Sequence, residues 1–77
     1  MKIQVFAALK DHFDREFEVN GAVNNMEALR SRLREMNPAC SAMLDSCRFA
    51  VHDEFIDNDF KLQENDTVII LPPSSGG

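Results

Sequence analysis

Cysteine is scarce in this chain: Cys40 and Cys47 are the only two, and they lack the CxxC spacing of a metal knuckle or redox pair. That is too few for a disulfide scaffold. Gly21 is the single glycine ahead of the closing Gly76-Gly77 pair, so no Gly-rich phosphate loop can be built. No long hydrophobic run exists either. The longest, Val5 to Leu9, falls far short of the roughly 20 residues that a membrane-spanning helix requires. Positive charge is also limited, with 8 Lys and Arg against 13 acids and a formal net charge of −5. A nucleic-acid binder would show a basic face, so that class falls away. The same charge favours solubility and a partner with a basic docking surface. The opening stretch MKIQVFAALKDHF superficially suggests a secretory leader. Gln4 interrupts it and Lys10-Asp11 follow directly, so it reads as a first strand and the protein as cytoplasmic.

What remains is one small domain of 77 residues, 44% hydrophobic. A chain of this length buries only about 60% of its unfolded surface, which leaves no room for a deep active site beside a cofactor domain.

Along residues 2–9, Ile3, Val5 and Ala7 share one parity and Gln4, Phe6 and Ala8 the other, the pattern of a strand. Lys10 to Asp14 fits a hairpin loop. Residues 15–19 alternate, with Phe17 and Val19 toward a core and Glu16 and Glu18 toward water. Asn20-Gly21 closes that strand. Met26, Leu29, Leu33 and Met36 then form one stripe of an amphipathic helix. Asn24 or Asn25 caps it, and Asn24 with Glu27 has capping-box spacing. Glu27 stands three residues before Arg30, a spacing for a weak surface ion pair. Pro38 ends the helix.

Residues 39–46 suggest a short second helical turn, and Arg48 to Val51 a short strand with Phe49 and Val51 on one face. His52-Asp53-Glu54 is a turn, Phe55-Ile56 restarts extended structure, and Phe60 is a buried anchor after a polar connection. Asn65-Asp66 turns the chain into a strong final strand, Thr67 to Leu71. One helix cannot cover both faces of such a sheet, so the fold class is α+β, a mixed sheet with the helix packed across it. The first two strands form a hairpin, and the last pairs in parallel with the first, as in a β-grasp. The domain occupies residues 1–72 and a tail residues 73–77.

The common catalytic constellations are weak or absent. Ser41, Ser46, His12 and His52 make a hydrolytic site only by arbitrary assembly. Cys40 and Cys47 read as small packing residues. A β-grasp iron–sulfur protein needs four Cys ligands, which the chain does not have. The acids from Asp53 to Asp66 lack the spacing and the Gly of a calcium loop, so no metal site is expected.

The unusual feature is the end of the chain. Pro72-Pro73 cannot donate ladder hydrogen bonds and lift the chain off the sheet in extended form. Ser74 to Gly77 then reaches about 13 Å, at roughly 3.3 Å per residue. Gly76 and Gly77 carry no side chains and would enter a channel too narrow for any other dipeptide. Such a tail reads equally as a frayed terminus or as a carboxylate presented to an activating enzyme. Strand parity adds a second hint. If Val5 and Ile70 face the helix, then Phe6, Ile69 and Leu71 face the other way and, with Phe55, form an apolar patch beside the root of the tail.

FAALKD at 6–11, AVHDEFI at 50–56, NDTVIILPP at 65–73 and the closing Gly-Gly together resemble the small, sulfur-carrying subunits of molybdopterin synthase. The resemblance spans essentially the whole chain and implies a ubiquitin-like β-grasp fold. It implies that Gly77 is adenylated with ATP by a separate activating enzyme and converted to a thiocarboxylate, with no cofactor bound to this chain itself. Pro73, Ser74, Ser75 and Gly76 would form the inserting tail, and Phe6, Phe55 and Leu71 the partner-binding positions. The implied partners are that adenylating enzyme and the large synthase subunit, in a heterotetramer, where the sulfur passes to a pterin precursor. Sulfur carriers for thiamin, cysteine or tRNA thiolation, and ubiquitin-like conjugation modules, share the same general pattern. Two residues depart from it. The family usually has a small apolar residue where Ser74 stands and Asn where His52 stands, which leaves the tail's grip and the turn type open.

Overall fold

The computed structural model describes residues 1–21 and 23–72. Its sheet has five strands: β1 (Lys2–Val5), β2 (Glu16–Glu18), β3 (Arg48–Val51), β4 (Glu54–Ile56) and β5 (Thr67–Leu71). The β-branched run of β5 suits it to the centre of the order β2-β1-β5-β3-β4, parallel to β1 and antiparallel to β3. The sequence-based β-grasp topology is therefore the observed one. Helix α1 (Met26–Met36) packs across one face, followed by a 3₁₀ turn at Pro38–Cys40 and helix α2 (Ser41–Ser46). Among the described residues, no helix is long and apolar enough to cross a membrane.

Parity decides the core. Ile3 and Val5 on β1, Val68 and Ile70 on β5, and Phe49 and Val51 on β3 are all buried. They meet Met26, Leu29 and Leu33 of α1, with Leu44 of α2 closing one side. Burying each such side chain contributes about 1.5–3 kcal/mol before entropy is counted. Phe60 is half-buried against this core and not a fully buried anchor, because it lies on the connection over the core's edge. Phe17 is also half-buried and stacks on Phe13, with ring centroids 5.5 Å apart.

Several local expectations change. The first strand ends at Val5 and not at Leu9, and Ala7–Asp11 form a 3₁₀ turn. Ala7 enters it at φ 55°, and alanines have little β-propensity to hold the extended form. The turn also brings Leu9 and Phe13 into the core. Asn25, not Asn24, caps α1: its side chain accepts from the Ala28 amide at 2.8 Å. Glu27 therefore supplies only first-turn charge, favourable to the helix dipole. The Glu27–Arg30 pair does not form among the described residues. Arg30 instead donates to Asn58 and lies 5.0 Å over the Phe49 ring. Met36, the last residue of α1, is 49% exposed because the stripe runs past the edge of the core.

Asn37 joins three segments where α1 stops. Its amide bonds back to Leu33, its Nδ2 donates to the His12 carbonyl at 2.9 Å, and its Oδ1 accepts from Ala39. Gly21 adopts φ 103°, and a Cβ there would come within 3.1 Å of Arg32 Nη2. The same arginine donates to the Asn20 carbonyl, and it is the positive φ that calls for glycine here.

The β3–β4 connection is resolved as a two-residue loop with His52 at φ 54° and Asp53 at φ 64°. Positive φ at both central positions is the type I′ hairpin turn, which favours Asn-Gly and disfavours most L-residues. Asp53→Gly is expected to stabilise the fold by about 0.5–1 kcal/mol, the relief of left-handed strain less the entropy gained by the unfolded chain. A rise in the urea midpoint with an unchanged slope is the confirming result.

Candidate docking face beside the chain exit

Among the described residues, no helix covers the second face of the sheet. Register builds its surface row by row. Ile69 of β5 lies opposite Gln4 on one side and Ala50 on the other, and Ala50 in turn lies opposite Phe55. In the next row Leu71 opposes Arg48. Val5 opposes Ile70, and Phe6 continues β1 in extended conformation (φ −132°, ψ 161°), which sets it at the level of Leu71. Phe6, Ile69, Leu71 and Phe55 thus share one face, as parity suggested. Phe55 is 55% and Phe6 45% exposed, too much apolar surface to serve the core. Ile69 and Leu71 are half-buried between them.

The face adjoins the point where the chain leaves the sheet. Pro72 follows Leu71 directly and is half-buried. Pro73, Ser74, Ser75, Gly76 and Gly77 lie outside the described residues, as does the boundary between the 1–72 domain and the 73–77 tail.

Two charged features escaped the sequence reading. The Arg48 guanidinium sits 3.8 Å over the Phe55 ring, a cation–π contact at the edge of the exposed apolar surface. Parity put Arg48 on this face, but only the β3–β4 register brings it to Phe55. The second is a cleft of about 330 Å³ beside Phe6, lined also by Gln4, Val5, Lys10, Arg15 and Glu16. It forms because the 3₁₀ turn carries Lys10 back toward the start of β2.

The other candidate groups are not assembled into a site. His12 lies on the β1–β2 connection, His52 in the β3–β4 turn, and Ser41 and Ser46 on α2, and no hydrogen bond joins any of them among the described residues. Nor do the described residues contain a group of three or more His, Cys, Asp or Glu side chains placed to hold a metal ion.

Both cysteines are buried. The Cys40 thiol donates to the Asn37 carbonyl and the Cys47 thiol to the Met43 carbonyl. Burial pushes Cys47 up to about 11, with Cys40 adding to the rise and Arg30 opposing it; burial also raises Cys40. A thiol whose folded pKa exceeds its unfolded one holds its proton longer in the native state. Its contribution to stability is complete below about pH 9 and is lost as pH climbs toward 11. Native protein at pH 8 is accordingly expected to react with Ellman's reagent at least about tenfold more slowly than urea-unfolded protein. Equal rates in the two states would show these thiols to be accessible.

Comparison with known proteins agrees with this geometry. A curated molybdopterin synthase sulfur carrier subunit from Dictyostelium discoideum is 40% identical over 48 residues, 60% of this chain and 56% of the relative. The alignment thus spans only about half the length of that relative. A solved complex of subunits 1 and 2 of molybdopterin-converting factor from Helicobacter pylori contains a similar chain. The two superpose with a TM-score of 0.73 at 27% identity, covering 99% of this chain and 96% of that one. SAMP1 from Haloferax volcanii superposes with a TM-score of 0.81 over 99% of this chain and 97% of its own, and at 19% identity it speaks for the fold alone. The model of the ThiS family matches residues 3–77, both the β-grasp body and the Gly-Gly end, and the chain belongs to that family.

Proposed function

We propose that this chain is a sulfur carrier, acting as the small subunit of a molybdopterin synthase. The observation that carries the reading is the exposed Phe6–Leu71–Phe55 surface placed where β5 releases the chain toward Pro72 and the Gly-Gly end. Phe6, Phe55 and Leu71 hold the body against a larger subunit, and residues 73–76 carry Gly77 into it. The related chain in the molybdopterin-converting factor complex supports this arrangement. Two small and two large subunits would make up the assembly, in the cytoplasm.

The chemistry follows from the limits of a carboxylate. An ionised carboxylate is a poor electrophile, so a separate activating enzyme uses ATP to form an acyl-adenylate at Gly77 with release of pyrophosphate. A sulfur donor then displaces AMP and leaves a thiocarboxylate. In the large subunit the sulfur passes to a pterin precursor. This chain contributes the reacting carbonyl and its delivery, and the acid–base groups belong to the partners.

Incubation with an activating enzyme, ATP and a sulfur source, read by intact mass, tests the proposal. Replacement of one oxygen by sulfur is the expected change. Adducts of protein mass would favour a ubiquitin-like conjugation role instead. A thiocarboxylate that transfers sulfur only to thiamin, cysteine or tRNA acceptors would move the chain to another thiolation pathway.

A further inference from the structure

The net charge of −5 points toward a basic partner, but the docking face has the opposite local sign. Its acids are engaged within the chain, two of them by positive charges. Glu16 pairs with Lys2 at 3.6 Å and accepts from Gln4 at 3.0 Å, and Glu18 lies 3.6 Å from the Met1 amine. Asp57, just beyond β4, accepts from the Asp59 amide at 3.0 Å. Beyond Lys2, its cations are unpaired among the described residues. Arg48 on one side of Leu71, and Lys10 and Arg15 in the cleft beside Phe6 on the other, form no ion pair among the described residues. Asp11 and Asp14, on the same connection as Lys10, do not line that cleft.

A partner covering Phe55 must also cover the guanidinium stacked on it. Taking that charge out of water without a counter-charge is strongly unfavourable, whereas a carboxylate opposite its planar fork offsets the loss. We infer that the docking partner presents an apolar socket rimmed by carboxylates, one of them facing Arg48 and others the Lys10–Arg15 cleft. The inference rests on the reading that this face docks the large subunit, and it names the chemistry of that subunit's surface. The acids of the whole chain then act at long range to keep the protein soluble, while the rim cations steer and orient the encounter.

The test is titration calorimetry of the chain with the large synthase subunit of the same organism, at about 50 mM and about 500 mM salt. Arg48→Glu is expected to weaken binding at least about tenfold, Arg48→Gln less, and the paired change Lys10→Glu with Arg15→Glu by a similar factor. Wild-type affinity is expected to fall as salt rises. Arg48 is exposed, so its variants should fold, and their circular dichroism and thermal midpoints verify this. If the charge-reversal variants bind like wild type while Phe55→Ala binds weakly, the apolar docking surface stands and the carboxylate rim is overturned. If the wild-type chain does not bind at all, the docking reading falls and takes the rim with it.

Discussion

A chain ending at Gly76 is expected to fold like the full-length protein and to transfer no sulfur. The described core is built from residues between Met1 and Ile70, so loss of residue 77 is expected to leave the thermal midpoint within about a degree. The chemical consequence is far larger. Removing one extended residue withdraws the carboxylate by about 3.3–3.6 Å. A misplacement of about 1 Å at a reacting centre already costs roughly a hundredfold in rate. Extension by one residue acts differently: it converts the Gly77 carboxylate to an amide, which has no oxygen nucleophile for ATP. Both variants should show no gain of sulfur by intact mass and no measurable product in the coupled assay. Gly77→Ala keeps the carboxylate and adds only a methyl group, so its defect reports how narrow the channel is. Undiminished sulfur transfer from the truncated chain would falsify the assignment of Gly77.

Ile70→Ala is the second large effect, and its neighbour provides the control. Ile70 is fully buried on the central strand, between β1 and β3 and beneath the helices. Truncating it should cost about 2–5 kcal/mol, a cavity that little backbone movement can close. A small domain has only about 5 kcal/mol in reserve, so much of the variant should be unfolded near 37 °C. Leu71, one residue on, faces the other way and is half-buried. Leu71→Ala should cost less than about 1.5 kcal/mol in stability while weakening docking by about tenfold or more, as a central interface position does. Urea denaturation and calorimetry on the same pair of variants separate the two faces. Equal stability losses would mean that Leu71 is part of the core and not of a docking surface.

The helix was legible because Met26, Leu29 and Leu33 repeat at helical spacing and Pro38 stops the run. The final strand was legible because five apolar or β-branched residues stand between Asp66 and Pro72. Positions 6–9 misled because alternation in a run so rich in alanine fits a strand and a tight turn alike. Which of Asn24 and Asn25 caps α1 was not decidable, since both have the right side chain. The backbone geometry chose Asn25, with Asn24 instead accepting the Leu62 amide through its carbonyl.

By itself the sequence determined the element order, the inner and outer parity of each strand, and a terminal Gly-Gly following an apolar strand and two prolines. Those are local properties, set by period, by proline chemistry and by the size of a side chain. The tertiary structure decided which side chains from distant segments meet. It set Phe6 beside Leu71, stacked Arg48 on Phe55, and tied Glu16 and Glu18 to nearby positive charges. A net charge is a sum over all residues, whereas a partner meets only one face at short range under screening. The acids and cations of this chain could therefore be counted from the sequence, but the sign of the docking face required the register of its strands.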